Sequence, residues 1–329
     1  MPEVVFARDG LTVVGRWLAE RGARHALVLA PPSKRHVDRL RAALEAAGLA
    51  VSVFDGARVH VPREVLDAAS ARLAETGADA IVAIGGGAAV GLGKALRLHT
   101  DVRWVAVPTT YAGSEMTSIY GVTERATKTT GRDGRVRPEL VIYDPDLTAG
   151  LPLGITIQSL LNALAHAIGT LGTGSLVGDD RAAALDTIGA VVGAVEALLA
   201  DPDAASAREA AMRAASAAGV AADRGRFGAH HALAHLLGGR FDLDHAALHA
   251  ILLPGSVARL RATDPALVAE VATAAFGATG RRDLEVYLRE VLTRAGAPTS
   301  LDTLGAGAQA LLVACHAAIA ARALASSID

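Results

Sequence analysis

The stretch Ala80–Leu96, AIVAIGGGAAVGLGKAL, decides the fold. Ala80 to Ile84 are apolar without interruption, so a strand there has no face for water and must be covered on both sides. Gly85-Gly86-Gly87 end the run, and a helical pattern continues to Leu98. A buried strand passing into a helix through bare glycines is one unit of a parallel sheet clothed in helices. The flanks repeat it. Upstream, Ala26 to Ala30 (ALVLA) stops at Pro31-Pro32, a helical segment runs from Val37 to Ala47, a strand covers Ala50 to Phe54, and Arg63 to Glu75 is again helical. Downstream, Trp104 to Val107 is a third buried-type strand and ends at Pro108-Thr109-Thr110. In such sheets the ligand crevice lies beyond the carboxyl ends of the strands.

The rhythm changes near Tyr143-Asp144-Pro145, where a strand-like run (LVIYD) meets turn chemistry. Beyond it, Ile157–Leu171, Arg181–Leu199, Ala205–Ala222, Ala229–Leu237 and several segments between Ala246 and Leu324 read as Ala/Leu helices. The expected architecture is an α/β dinucleotide-binding domain over residues 1–150 and an all-α catalytic domain over 151–329. The 329-residue length suits two domains.

Composition removes several function classes. The 32 basic and 34 acidic side chains leave a formal charge of −2, which argues against nucleic acid as a partner. Cys315 is the single cysteine, so a disulfide framework or multi-Cys metal site is excluded and a reducing cytoplasm is expected. No uninterrupted apolar run reaches the ~18 residues of a membrane span, and MPEVVFARDG lacks the order of a signal peptide. The chain reads as soluble and unexported.

Two groups of residues carry chemistry. At Gly85, Gly86 and Gly87 main chain free of side chains can approach a pyrophosphate, and the helix that follows supplies free N–H groups and positive dipole. The spacing is not GxGxxG, so a merely tight connection is the competing explanation. Pro108 to Thr117 (PTTYAGSEMT) follows the next parallel strand and brings hydroxyls to the same rim. The second group is HHALAHLLGGRFDLDHAALHA, in which His230, His231, His235, His245 and His249 fall within twenty residues. On a helix His231 and His235 share a face, and His245 returns after the Gly238-Gly239 break. Asn162 and His166 repeat the four-residue spacing on an earlier helix. Neutral imidazoles can bind zinc or ferrous iron, or act without metal as proton donors and oxyanion partners; spacing alone leaves both open. His25, His36, His99 and His316 read as structural.

These residues resemble the iron-containing alcohol dehydrogenase superfamily and, within it, the maleylacetate reductases. The resemblance runs from Val4 to about Gly305 through AIVAIGGGAAVGLGKAL, AVPTTYAGSEMTSIYGVTE, KTTGRDGRVRPELVIYDPDLTAGLP, NALAHA and HHALAHLLGGRFDLDH, with His60-Val61-Pro62 and Glu64 in the same pattern. It implies NAD(H) or NADP(H) in a cleft between the domains and a homodimer. It assigns Gly85, Gly86 and Gly87 to the pyrophosphate, and Pro108, Thr109, Thr110, Ser114 and Thr117 to the ribose and nicotinamide. The positions that hold iron or zinc in metal-dependent relatives read Asn162, His166, His231 and His245, with His235 also lining the site. If a metal binds, His166, His231 and His245 are its expected ligands. Asn in place of the only anionic ligand weakens such a site, so a metal is not expected to be required.

The implied reaction is hydride transfer to maleylacetate or a related small oxo-acid. Lys128, Arg132, Arg135 and Arg137 are cationic candidates for the substrate's carboxylates, or else ties in a hairpin. Three departures from the pattern stand out: Ala88 replaces a serine, Ala167–Gly174 is glycine-rich, and the chain stops at Asp329 without the Asn-Pro-Arg-containing tail associated with the reductases. Each interior glycine costs ~1 kcal/mol relative to alanine, so the helix holding His166 is expected to loosen or end early. A reshaped wall leaves two alternatives: oxidation of a β-hydroxy acid or peptide-terminal alcohol, with decarboxylation, or a catalytically silent binding homologue. Pro31-Pro32-Ser33-Lys34-Arg35 after the first strand carries no acidic residue to exclude NADP, so dual or NADP-leaning use is expected.

Overall fold

A computed structural model of the chain describes residues 1–125, 127–278, 282–305 and 307. Cys315, His316 and the helical pattern toward Leu324 lie outside the described residues. The chain divides into two compact units, Met1–Gly150 and Leu151–Asp329.

In the first unit β1 (Glu3–Phe6), α1 (Gly10–Glu20), β2 (His25–Leu29), α2 (Val37–Ala46), β3 (Ala50–Phe54), α3 (Arg63–Thr76), β4 (Ala80–Gly85), α4 (Gly87–Arg97) and β5 (Arg103–Pro108) alternate in order. A hairpin of β6 (Ile119–Glu124) and β7 (Thr127–Arg132) follows, then β8 (Leu140–Tyr143). Six strands form one sheet in the order β1-β8-β5-β4-β2-β3, and every pairing is parallel. All six residues of β4 and all four of β8 are buried, as the unbroken apolar runs require. The core beneath α1 and α2 joins Leu11, Val14, Leu18, Leu40 and Leu44 to Val28, Val82 and Ile142. On α1 the buried residues recur at helical spacing, and Gly10 opens the helix against the sheet, where a Cβ would stand 2.5 Å from Ile142.

The hairpin is bound to the start of α3. Thr123 donates its backbone N–H to the Val61 carbonyl at 3.0 Å and its hydroxyl to the His60 carbonyl at 2.8 Å. His60 and Val61 both adopt left-handed backbone, with φ of 61° and 48°, a conformation costly for a β-branched residue.

The second unit is helical: α5 (Leu153–Gly172), α6 (Gly178–Ala200), α7 (Ala205–Arg224), α8 (Ala229–Phe241), α9 (His245–Thr263), α10 (Pro265–Phe276) and α11 (Leu284–Arg294). α5 is its axis. Fifteen of its twenty residues are buried, and it packs on α6, α7 and α9. The expected early end at the glycines does not occur: α5 runs through Gly169 to Gly172. Packing outweighs propensity here, and the buried Thr170 hydroxyl is satisfied within the helix by donating to the His166 carbonyl at 2.9 Å. By length and composition α6 could cross a membrane, but it carries Asp186 and Glu196 and buries Ile188, Val191, Val195 and Leu198 within this unit.

Candidate active site

The first unit offers a rim made of main chain. Gly85 has φ of 149°, which favours glycine, and a Cβ on Gly86 would meet Thr110 at 2.9 Å. Gly87 opens α4 with nothing within 4 Å of where its Cβ would stand. A phosphate can therefore approach the first turn of α4, whose N–H groups have no partners within the helix. The neighbouring strand closes on this turn: Gly85 is in register with Pro108, and the Thr109 N–H donates to the Gly85 carbonyl at 3.0 Å.

Behind the rim a buried lysine braces the loop. Lys94 on α4 is 2% exposed; its Nζ donates to the Thr117 hydroxyl and the Ile119 carbonyl, both at 2.8 Å, and to the Ser114 carbonyl. Thr117 is thus turned inward with its hydroxyl engaged, whereas Thr110 and Ser114 remain partly exposed. Glu115 is buried too and accepts from the Tyr143 hydroxyl at 2.5 Å; burial pushes its carboxyl up. Of the four cationic candidates on and beside the hairpin, Arg135 is paired with Asp133, and burial pushes Lys128 down to about 8.

The second unit gathers imidazoles. α5 contributes Asn162 and His166, α8 contributes His230, His231 and His235, and α9 contributes His245 and His249. Ring centroids lie 5.1 Å apart for His166 and His231, 5.6 Å for His235 and His245, and 4.4 Å for His245 and His249. The four predicted histidines therefore belong to one nest, and its hub is a fifth. His249 is fully buried and lies within ring contact of His166, His230, His231, His235 and His245. The signal for it was its place four residues after His245 on the same helix. Sequence reasoning missed Phe227, which stacks on His231 at 3.8 Å and 5°. It also misread Gly169. A Cβ there would stand 3.3 Å from His231 Nδ1, so the glycine gives that ring its room on α5.

Burial disfavours the charged form of three of these rings. It lowers His230 to about 4 and His231 and His249 well below the usual histidine range, and the neighbouring imidazoles add to the depression of the last two. Neither ring nitrogen of His231 has a hydrogen-bond partner, and the buried Asn162 Oδ1 and His249 Nε2 also have none. Unpartnered buried nitrogens on His231 and His249, whose ring centroids lie 4.7 Å apart, are the mark of a site that receives a polar ligand. Beside the nest lies a mainly apolar cavity of about 710 Å³, lined by Gly169, His230, Leu233, Leu236, Leu252 and Ser256 among others.

The profile described as iron-containing alcohol dehydrogenase matches residues 2–145, and that described as the Fe-containing alcohol dehydrogenase family, C-terminal, matches 156–327. This chain belongs to the iron-containing alcohol dehydrogenase family. Among curated family members, the maleylacetate reductase of Burkholderia cepacia is 39% identical over 322 residues, 97% of this chain and 89% of that protein. Maleylacetate reductase 1 of Cupriavidus pinatubonensis is 41% identical over 92% of this chain and 84% of its own length. The crystal structure of maleylacetate reductase from Agrobacterium tumefaciens superposes with a TM-score of 0.86 at 37% identity, covering 97% of this chain and 89% of that one.

Membership implies iron, so the fit of these residues to a metal matters. The set Asn162, His166, His231 and His245 holds no carboxylate to offset desolvation of an ion. Among the described residues, ligand nitrogens within 4.8 Å of one another occur as His230, His231 and His249, and as His235, His245 and His249. His166 belongs to neither group. The four positions therefore do not fit one ion as a set, and no catalytic step below is routed through metal.

Proposed function

We propose that this chain is an NAD(P)H-dependent oxidoreductase that reduces maleylacetate or a related small oxo-acid, working in the cytoplasm as a homodimer. The observation that carries the reading is the nest of imidazoles on α5, α8 and α9, in which His166, His230, His231 and His249 are buried. The first unit serves as the dinucleotide domain and the second as the catalytic one. Gly85, Gly86 and Gly87 hold the pyrophosphate on bare main chain, and Thr110 and Ser114 supply hydroxyls beside it. Reduced nicotinamide, when bound, supplies the hydride.

The nest does the rest. Hydride addition to the double bond conjugated with the ketone moves an electron pair onto the ketone oxygen. An N–H of a neutral imidazole meets that developing enolate better than water does, because it is fixed in place and desolvated. His231, with both nitrogens unpartnered, and His245 are assigned this contact, and His166 and His235 orient the acid. The enolate carbon then takes one proton, so that oxo-acid, NAD(P)H and H⁺ become the saturated oxo-acid and NAD(P)⁺. Phe227 holds the His231 plane, and the Asn162 amide lies one helical turn before His166 on α5.

The test is consumption of NADH and NADPH followed at 340 nm with maleylacetate. Turnover with at least one nucleotide is expected; none with either overturns the reading. The cavity beside Gly169 favours a second one, oxidation of a bulkier β-hydroxy acid by NAD(P)⁺ to a β-keto acid that loses CO₂, tested by nucleotide reduction with such acids.

A further inference from the structure

His231 is placed without the usual means of placing an imidazole. A histidine ring is generally oriented by a hydrogen bond at one nitrogen, which leaves only the other for chemistry. Neither nitrogen of His231 has such a partner, and its face is met by other rings. The Phe227 centroid lies 3.8 Å away at 5° between planes, and that of His166 lies 5.1 Å away at 21°. Stacking fixes the plane of a ring and leaves both edge nitrogens available. It fixes that plane only as well as Phe227 is itself fixed, and Phe227 stands on a loop.

That loop, residues 225–228 between α7 and α8, is pressed against the end of α5. Glycines flank it: a Cβ on Gly225 would stand 2.6 Å from Thr170, and one on Gly228 would stand 3.1 Å from Thr173 Cγ2. Between them a pair of hydroxyls just past α5 holds Arg226. Ser175 Oγ accepts the Arg226 backbone N–H at 2.9 Å, Thr173 Oγ1 lies 3.2 Å from the Arg226 carbonyl oxygen, and the two hydroxyl oxygens are 2.8 Å apart. Thr173 Oγ1 is anchored in turn 2.8 Å from the Thr170 carbonyl oxygen. Both backbone groups of Arg226 are thus tied to α5, the helix that carries His166 and Gly169, and the next residue is Phe227. We propose that Thr173 and Ser175 are positioning residues, which act through Arg226 and Phe227 to set the plane of His231; that the plane serves to aim an N–H at the developing enolate rests on the oxidoreductase reading. Neither hydroxyl is bonded to the ring that it controls.

The experiment compares the unaltered full-length chain with the pair Thr173→Val and Ser175→Ala, which removes both hydroxyls at nearly constant shape, with Phe227→Ala, and with all three changes together. Circular dichroism checks that each variant folds. The first readout is the carbon-bound proton resonances of the His231 ring, assigned by their loss in His231→Gln. They should lie upfield, under the face of the Phe227 ring, and move downfield when the two hydroxyls are removed. The second is turnover of maleylacetate: kcat should fall by roughly threefold to tenfold with nucleotide affinity unchanged. In the Phe227→Ala background the paired change should cost nothing further, because groups that act through one another are not additive. Ser175→Thr, which keeps the hydroxyl, should retain both the resonances and kcat. His231 resonances that stay in place in the paired variant overturn the proposal, and so does a loss of kcat that simply multiplies with that of Phe227→Ala. Absence of turnover by the unaltered chain would overturn the oxidoreductase reading, while the resonances would still decide whether the hydroxyls hold the ring.

Discussion

The two candidate sites are built from opposite materials. At the end of β4 the recognition surface is main chain, and what matters is the absence of side chains at Gly85, Gly86 and Gly87. In the helical unit it consists of side chains carried by three helices, and geometry depends on how those helices pack. A backbone site tolerates drift elsewhere in the sequence as long as nothing intrudes. A side-chain nest depends on each ring and on each ring's support.

The contrast is broken most directly by removing one ring. His231→Ala should lower kcat by roughly 10²- to 10⁴-fold, the usual worth of a positioned acid–base group, while nucleotide affinity measured by calorimetry stays unchanged. A matching fall in nucleotide affinity would mean that the two functions are not divided as proposed. The converse change is Gly86→Val. Its Cβ would meet Thr110 at 2.9 Å and its branches would fill the approach to α4. We expect nucleotide affinity to fall by roughly 100-fold, about 2.7 kcal/mol, without loss of thermal stability beyond a few degrees.

Support residues sharpen the comparison further. Lys94→Met leaves the Ser114 and Ile119 carbonyls and the Thr117 hydroxyl without the ammonium they share. A hydrogen bond to a buried charged group is worth about 1.5–3 kcal/mol, so the denaturant midpoint should fall by an amount of that order; an unchanged midpoint would show that Lys94 is no brace. Acid should separate the two units as well. His230 falls from its ordinary 6.5 to about 4 on folding, so between those values the unfolded chain holds more protons and stability declines as pH drops. His231 and His249 act in the same direction. Melting of metal-free protein should therefore weaken from pH 6.5 toward pH 4, and His230→Phe should flatten the slope. The smallest effect is expected for Phe227→Ala, which removes a ring stack worth about 0.5–1.5 kcal/mol and should cost kcat a few-fold to tenfold.

How much of this was legible in the sequence followed the same divide. The buried strands announced themselves because a run such as AIVAI has only one stable environment, and their boundaries fall within a residue or two of β2, β3, β4 and β5. β1 left little trace, being four residues long and only partly buried at the sheet's margin. The clustered histidines were visible by spacing, yet which of them would be the hub was not. His249 becomes central through the angle between α8 and α9, which no local pattern encodes. Phe227 lies in the loop before α8, outside any periodic segment. Gly169 was read for its helix propensity, a local cost, although its role is to leave space for a ring from another helix.

The left-handed pair His60-Val61 gives the hairpin a thermodynamic meaning. Backbone held in such a region lies above its relaxed state by about 1–3 kcal/mol per residue, and the bonds from Thr123 are what hold it there. Undocking of β6 would let both residues spring back, so the first release of the hairpin favours its completion. A segment joined in this way leaves the start of α3 as a single cooperative body and does not fray residue by residue.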